Sequence, residues 1–122
     1  MARKKILLVD DTETILLMEK MILSRSYDLV TAKNGEDAIT RAIAEQPDLI
    51  LMDVVMPKMD GLEACKQIKE IPGIGSIPII MVTTRGEVQN VETAFANGCT
   101  DYVTKPINPI ELLAKVKNYV GQ

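Results

Sequence analysis

The chain's 122 residues, 47% hydrophobic and 25% charged, have the size and balance of one globular domain with a single core, which excludes disorder, collagen and coiled coil. Seventeen acidic against fourteen basic side chains leave a net charge of −3, so no general attraction to nucleic acid is expected. No apolar run approaches the roughly 18 residues that cross a bilayer, so no membrane partner is expected either.

At the start, Met1-Ala2-Arg3-Lys4-Lys5 leads straight into a strand-like run rather than a signal h-region, which points to a cytoplasmic protein. The first predicted strand is Ile6-Leu7-Leu8-Val9, and Thr14 to Leu23 gives the first helix. A weaker second strand lies near Leu29-Val30. Ala38, Ile39, Ala42 and Ile43 then recur at one-helix-face spacing until Pro47 stops the pattern. Leu49-Ile50-Leu51-Met52 is the third strand, and Leu62, Cys65 and Ile68 give the helix that follows Gly61. Ile79-Ile80-Met81-Val82 is the fourth strand, Val88, Val91 and Phe95 mark a helix ended by Gly98, and Tyr102-Val103 is the fifth strand. The last helix has the clearest start: Asn108 as N-cap, Pro109 at the first helical position and Glu111 able to reach back to the cap. Leu113, Val116 and Val120 are expected to face the sheet.

Runs one, three and four are apolar without alternation, which means strands covered on both faces, as in a parallel sheet. Five strands alternating with five helices predict a three-layer doubly wound α/β fold, with right-handed crossovers and strand order 2-1-3-4-5. The whole chain, 1–122, reads as one domain with no effector domain in it.

The chemistry available is restricted, because the chain has no histidine. That removes the usual general base, the Ser-His nucleophile pair and every imidazole-ligated metal site. Cys65 and Cys99 lack metal-ligand spacing and fit reduced, buried thiols. The seven methionines read as core filler.

Against that background, each confident strand ends in a polar residue for which an apolar strand has no packing use. Asp10 and Asp11 follow the first, Asp53 the third, Thr83 the fourth and Lys105 the fifth. In a parallel sheet all carboxyl ends lie on one edge, and ligands bind where strand order reverses, here between the first and third strands. Three carboxylates gathered there repel: two unit charges about 4 Å apart cost about 4 kcal/mol at an effective dielectric of about 20. The cluster therefore requires a cation. With oxygen ligands alone a hard divalent ion is favoured, and Mg²⁺ suits few carboxylates completed by water and phosphate oxygens. Carboxylate, metal, the Lys105 ammonium and the Thr83 hydroxyl together can host phosphoryl transfer, with Asp53 as nucleophile.

The stretches Leu7-Leu8-Val9-Asp10-Asp11, Leu51-Met52-Asp53-Val54-Val55-Met56-Pro57-Lys58-Met59-Asp60-Gly61, Val82-Thr83 and Asp101-Tyr102-Val103-Thr104-Lys105-Pro106 resemble the receiver domain of bacterial two-component response regulators, in its single-domain, chemotaxis-regulator-like form. The resemblance implies a flavodoxin-like fold. It also implies that Asp53 takes a phosphoryl group from a histidine kinase or phosphotransfer protein, forming an aspartyl phosphate. By the same resemblance Asp11, Asp53 and the main-chain carbonyl of Val55 bind Mg²⁺ directly, with Asp10 acting through water, and Lys105-Pro106 is a cis peptide. Thr83 and Tyr102 resemble a switch pair: the hydroxyl moves toward the phosphoryl group, the ring turns inward, and the surface of the fourth helix, fifth strand and fifth helix changes for an unknown protein target. The implied state is a monomer or a weak phosphorylation-dependent dimer, and a signalling domain rather than an enzyme acting on other molecules.

Taken singly, these residues have plainer readings. Asp10-Asp11 would be a capping pair, Lys105-Pro106 a turn, Asp53 the opening of a loop and Tyr102 a strand aromatic. Jointly those readings require four strands to end in complementary charges by accident. Thr84, Val55 and Arg85 depart from or vary within the usual receiver pattern beside the acceptor and bear on phosphate lifetime, whereas Ile107, where an aromatic is often found, is a packing variation. Three other functions compete. A phosphorylation-independent docking module would not need the three acids, Thr83 and Lys105, and an aspartate-nucleophile phosphatase would have an acid at position 55. A flavodoxin-like cofactor binder is disfavoured by the acidic, glycine-free loop Asp10-Asp11-Thr12-Glu13-Thr14.

Overall fold

In the computed structural model, which describes residues 3–84 and 86–121 and leaves the Val88 side chain undescribed, the apolar runs pair edge to edge. The strands β1 (Lys5–Val9), β2 (Asp28–Ala32), β3 (Leu49–Asp53), β4 (Ile79–Thr84) and β5 (Asp101–Lys105) form one parallel sheet in the order β2-β1-β3-β4-β5. The helices α1 (Glu13–Leu23), α2 (Gly35–Glu45), α3 (Gly61–Glu70), α4 (Val88–Ala96) and α5 (Pro109–Val120) connect them. The fold is the flavodoxin-like doubly wound arrangement expected from the strand pattern. No helix among the described residues is long and apolar enough to cross a membrane.

Alternate side chains of each strand leave opposite faces of the sheet, so every strand feeds two cores. Leu7, Val9, Ile50, Met52, Ile79 and Met81 pack with Ala38 and Ala42 of α2, Ala64, Cys65 and Ile68 of α3 and Ala94 of α4. Ile6, Leu8, Leu49, Leu51, Ile80, Val82 and Val103 pack on the other face with Leu16 and Leu23 of α1 and Leu112 and Val116 of α5. β3 is buried along its whole length, as its unbroken apolar run requires. The result is a rigid layer that ends, at one edge, in the polar residues.

Several expectations about individual faces needed correction. Ile43 is 51% exposed, because it lies five residues beyond Ala38, about 140° around the helix from the side that meets the sheet. Among the described side chains of α4 the buried one is Ala94, while Phe95 is 46% exposed and Val91 half-buried. Leu112 joins Val116, four residues on, at the sheet, and Leu113 and Val120 pack only at its margin. Met52, Met56 and Met81 are core residues, but Met18 and Met21 lie exposed on α1. Cys65 and Cys99 are free and buried, as expected.

Candidate functional site

The site is assembled where β1, β3, β4 and β5 end together. Asp10 is wholly buried, Asp53 is 5% exposed and Thr83 2% exposed, whereas Asp11 projects into solvent. Parallel register sets the convergence: Val9 lies opposite Met52, and Asp53 opposite Val82, so a residue just past the end of one strand reaches its counterpart on the next. Lys105, last residue of β5, is in register with Thr84, and its ammonium lies 3.0 Å from Asp53 Oδ1 and 3.7 Å from Asp10 Oδ2. The Lys105-Pro106 peptide is cis, as the receiver resemblance implies.

Asp10 also takes the capping role considered above. The Thr12 N–H donates to its Oδ1 at 2.9 Å, which serves the start of α1, where Thr12 provides no side-chain cap of its own. One carboxylate oxygen is thus committed to the backbone. The other, Oδ2, is buried without a hydrogen-bond partner among the described residues and meets the Lys105 ammonium only at 3.7 Å, an arrangement that costs free energy unless a cation comes closer to it.

Carboxylate oxygens of Asp10, Asp11 and Asp53 all lie within 4.8 Å of one another, close enough to hold one metal ion. The donors are hard oxygens without imidazole or thiolate, and one of them is a buried orphan, so this set fits Mg²⁺. The main-chain carbonyl of Val55 accepts no backbone hydrogen bond among the described residues, while the Val55 side chain is 66% exposed. Thr84 is exposed at the rim and Ile107 is buried in the core beneath. Arg85 lies outside the described residues.

The electrostatics agree with a pocket that is short of positive charge. Burial pushes the Asp53 carboxyl up to about 6, with Asp10 adding to the rise and Lys105 opposing it. Burial likewise raises Asp10, against the Thr12 N–H and Lys105. Desolvation draws the Lys105 ammonium downward, but its pairing with Asp53 and Asp10 outweighs that and its net shift is upward. One lysine therefore only partly compensates the acids around it.

The loop that leads away from Asp53 is pinned by two glycines through the main chain. Gly61 N–H donates to Val54 O at 2.8 Å and Gly35 N–H to Met59 O at 2.9 Å. A β-carbon on Gly61 would stand 2.0 Å from the Asp53 carbonyl oxygen, and one on Gly35 2.6 Å from Met59 O. Neither contact is tolerable, so both positions require glycine for close approach. Asn34 and Asp60 cap α2 and α3 beside them, each accepting from the backbone three residues on. Gly61→Ala is expected to lower stability by about 1–3 kcal/mol, since backbone rather than a flexible side chain must yield; chemical denaturation measures it.

Comparison with known proteins decides the family. Residues 6–117 match the response regulator receiver domain family. The chain belongs to that family. The receiver is 44% identical over 115 residues to the alkaline phosphatase synthesis transcriptional regulatory protein PhoP of Bacillus subtilis (strain 168), covering 93% of this chain and 47% of that protein. It is 42% identical over 114 residues to the transcriptional regulatory protein ResD of the same organism, covering 93% and 46%. The chain thus spans about half the length of these curated relatives. Among solved structures it resembles the chemotaxis protein CheY4 of Vibrio cholerae, at 33% identity and a TM-score of 0.90, with 97% of this chain and 99% of that one covered. Receivers of this family are signalling switches of two-component systems.

Of the residues singled out from the sequence, Asp10, Asp11, Asp53 and Lys105 are brought together, and Thr83 is buried at the end of β4 with its Oγ unpartnered among the described residues. Tyr102 is half-buried on β5. Its ring meets Phe95 of α4 edge-on, with centroids 6.1 Å apart, and the Lys115 ammonium of α5 lies 5.2 Å from its centre. The Lys115 ammonium also donates to Tyr102 O at 2.6 Å and to Asp101 Oδ1 at 3.1 Å. Tyr102 therefore joins α4, β5 and α5.

One residue of this neighbourhood was missed. Glu19 of α1 is 1% exposed, both its carboxylate oxygens lack hydrogen-bond partners among the described residues, and its electrostatic neighbours are Asp10, Asp53 and Lys105. The signal was present: Leu16, Glu19 and Leu23 fall on one helical stripe, and both leucines are core residues. An ionisable residue centred on a buried stripe has to be explained.

Proposed function

We propose that this receiver is a phospho-accepting switch in which Asp53 receives a phosphoryl group from a histidine kinase or phosphotransfer protein. The observation that carries the reading is the placement of the Lys105 ammonium 3.0 Å from Asp53, in a pocket whose other two carboxylates lie within metal-sharing distance of the same side chain. A Mg²⁺ ion held by Asp11, Asp53 and the Val55 carbonyl, with Asp10 acting through water, would supply charge neutralisation for the phosphate oxygens.

The protein's own groups do the rest. Asp53 Oδ attacks phosphorus in line, the bond from phosphorus to the donor's nitrogen breaks, and an acyl phosphate forms. Lys105 holds Asp53 in place beforehand and then faces the negative charge on the transferred group. Thr83 Oγ, buried without a partner among the described residues, is a donor to which an arriving phosphate oxygen would offer an acceptor. Its movement toward that oxygen opens space beside β4 for the Tyr102 ring to turn inward. The turn breaks the edge contact with Phe95 and changes the α4, β5 and α5 surface, to which the output partner docks.

The test is incubation with acetyl phosphate and Mg²⁺, which is expected to place one base-labile phosphoryl group on the chain and shift amide resonances around Tyr102. A phosphorylation-independent docking module would take up none. In Lys105→Ala the fold is expected to persist while the resonance changes at Tyr102 are lost. Their survival in that variant would remove Lys105 from the coupling.

A further inference from the structure

Glu19 is buried on the α1 stripe whose Leu16 and Leu23 pack into the same apolar layer as Val82, Val103 and Ile107. Among the described residues no hydrogen bond reaches its two oxygens. Carboxyl groups are rarely retained in such places without a partner, because an apolar side chain of similar volume would serve packing better. The nearby cation is Lys105, and each of the two residues lies within electrostatic reach of the other. That ammonium lies 3.0 Å from Asp53 Oδ1 and 3.7 Å from Asp10 Oδ2.

Those same two carboxylates are members of the candidate Mg²⁺ set. A divalent ion placed among them repels the ammonium that shares them and withdraws the negative charge that held it. The lysine then needs another acceptor. We propose that Glu19 is a positioning residue that accepts a hydrogen bond from the Lys105 ammonium when Mg²⁺ claims Asp10 and Asp53. The idea rests on the metal-dependent reading of the pocket given above. It requires only a carboxyl oxygen, which Glu19 offers in either protonation state. Its effect is to let the pocket hold two cations at once, and to keep the lysine close until the phosphoryl group arrives.

The measurement is Mg²⁺ affinity, followed by amide chemical shifts of residues 10, 11 and 53, in the wild-type chain, Glu19→Leu, Glu19→Gln and each combined with Lys105→Ala. Glu19→Leu is expected to weaken Mg²⁺ binding about fivefold or more, the scale of an ordinary coupling between sites. Glu19→Gln keeps an oxygen acceptor and is expected to stay within about twofold of wild type. In the Lys105→Ala background Glu19→Leu is expected to have no effect, since the group it serves is gone. A wild-type response that Glu19→Leu leaves unchanged overturns the inference while the metal site stands. So does an undiminished loss in the Lys105→Ala background, which would mean that Glu19 acts on the metal by charge alone. A loss in Glu19→Gln as large as in Glu19→Leu also overturns it. Absence of any saturable Mg²⁺ response in the wild-type chain overturns the pocket reading and this inference with it.

Discussion

Asp53→Asn is expected to abolish incorporation of phosphate from acetyl phosphate, lowering its rate about a thousandfold or more, as loss of a nucleophile does. The amide is nearly isosteric, so the wall of the pocket and the Gly61 contact against the Asp53 carbonyl are retained. What is lost is a nucleophilic oxygen and one charge of the metal set. Because burial already pushes Asp53 up to about 6, the neutral amide is expected to be tolerated by the metal-free fold without loss of stability. Intact-mass measurement after reaction with Mg²⁺ and acetyl phosphate, together with a thermal melt, separates chemistry from folding. Labelling of the variant at the wild-type rate would move the acceptor to another residue.

The second expectation concerns pH and Glu19. Burial, reinforced by Asp10 and Asp53, pushes its carboxyl up to about 8, well above the ordinary 4.5. The folded chain therefore keeps a proton that the unfolded chain releases, so the metal-free protein should lose stability as pH rises from about 4.5 through 8. The slope cannot exceed about 1.4 kcal/mol per pH unit for one proton. Asp53 acts in the same direction, but only up to about pH 6. Between pH 6.5 and 8 the chain has no histidine to titrate, and the cysteines are pushed by burial to about 11 and 12. Asp10, also raised by burial, acts in the same direction, so the Glu19 share is read as the difference between wild type and Glu19→Leu. Glu19→Leu is expected to flatten the decline there and to be more stable than wild type at pH 8 by about 1–4 kcal/mol, the range found when buried charged groups are exchanged for apolar ones. Denaturant midpoints across the window measure it, and parallel declines in the two proteins would show that Glu19 does not titrate there. A variant that is more stable yet weaker in Mg²⁺ binding would identify a carboxyl kept for the pocket rather than for the fold.

Much of this was legible from residue order because a parallel sheet converts sequence into position. Unbroken apolar runs identify strands covered twice, and the residue just past each run must then lie on one edge. Asp10, Asp11, Asp53, Thr83 and Lys105 were found by that rule without distances. Side-chain direction around helices was less legible. Ile43 and Phe95 look like core residues by type, but a rotation of one or two positions carries them into solvent, and Leu112 rather than Leu113 takes the central place. Glu19 was hidden for the opposite reason: its type suggests surface, while the stripe formed by Leu16 and Leu23 places it inside. Hydrophobic pattern describes the average residue of a face and passes over the exception, which is where a function that opposes packing is found.

The path of the chain between Asp53 and α3 is set by peptide groups: Gly61 N–H on Val54 O, Gly35 N–H on Met59 O, and Val54 N–H on Val82 O at 3.1 Å. Val55, Pro57 and Lys58 meanwhile turn their side chains to water. Anchorage and decoration are thereby separated. Substitutions at the rim can therefore change how readily a water or a donor approaches without disturbing where the Asp53 carboxylate stands.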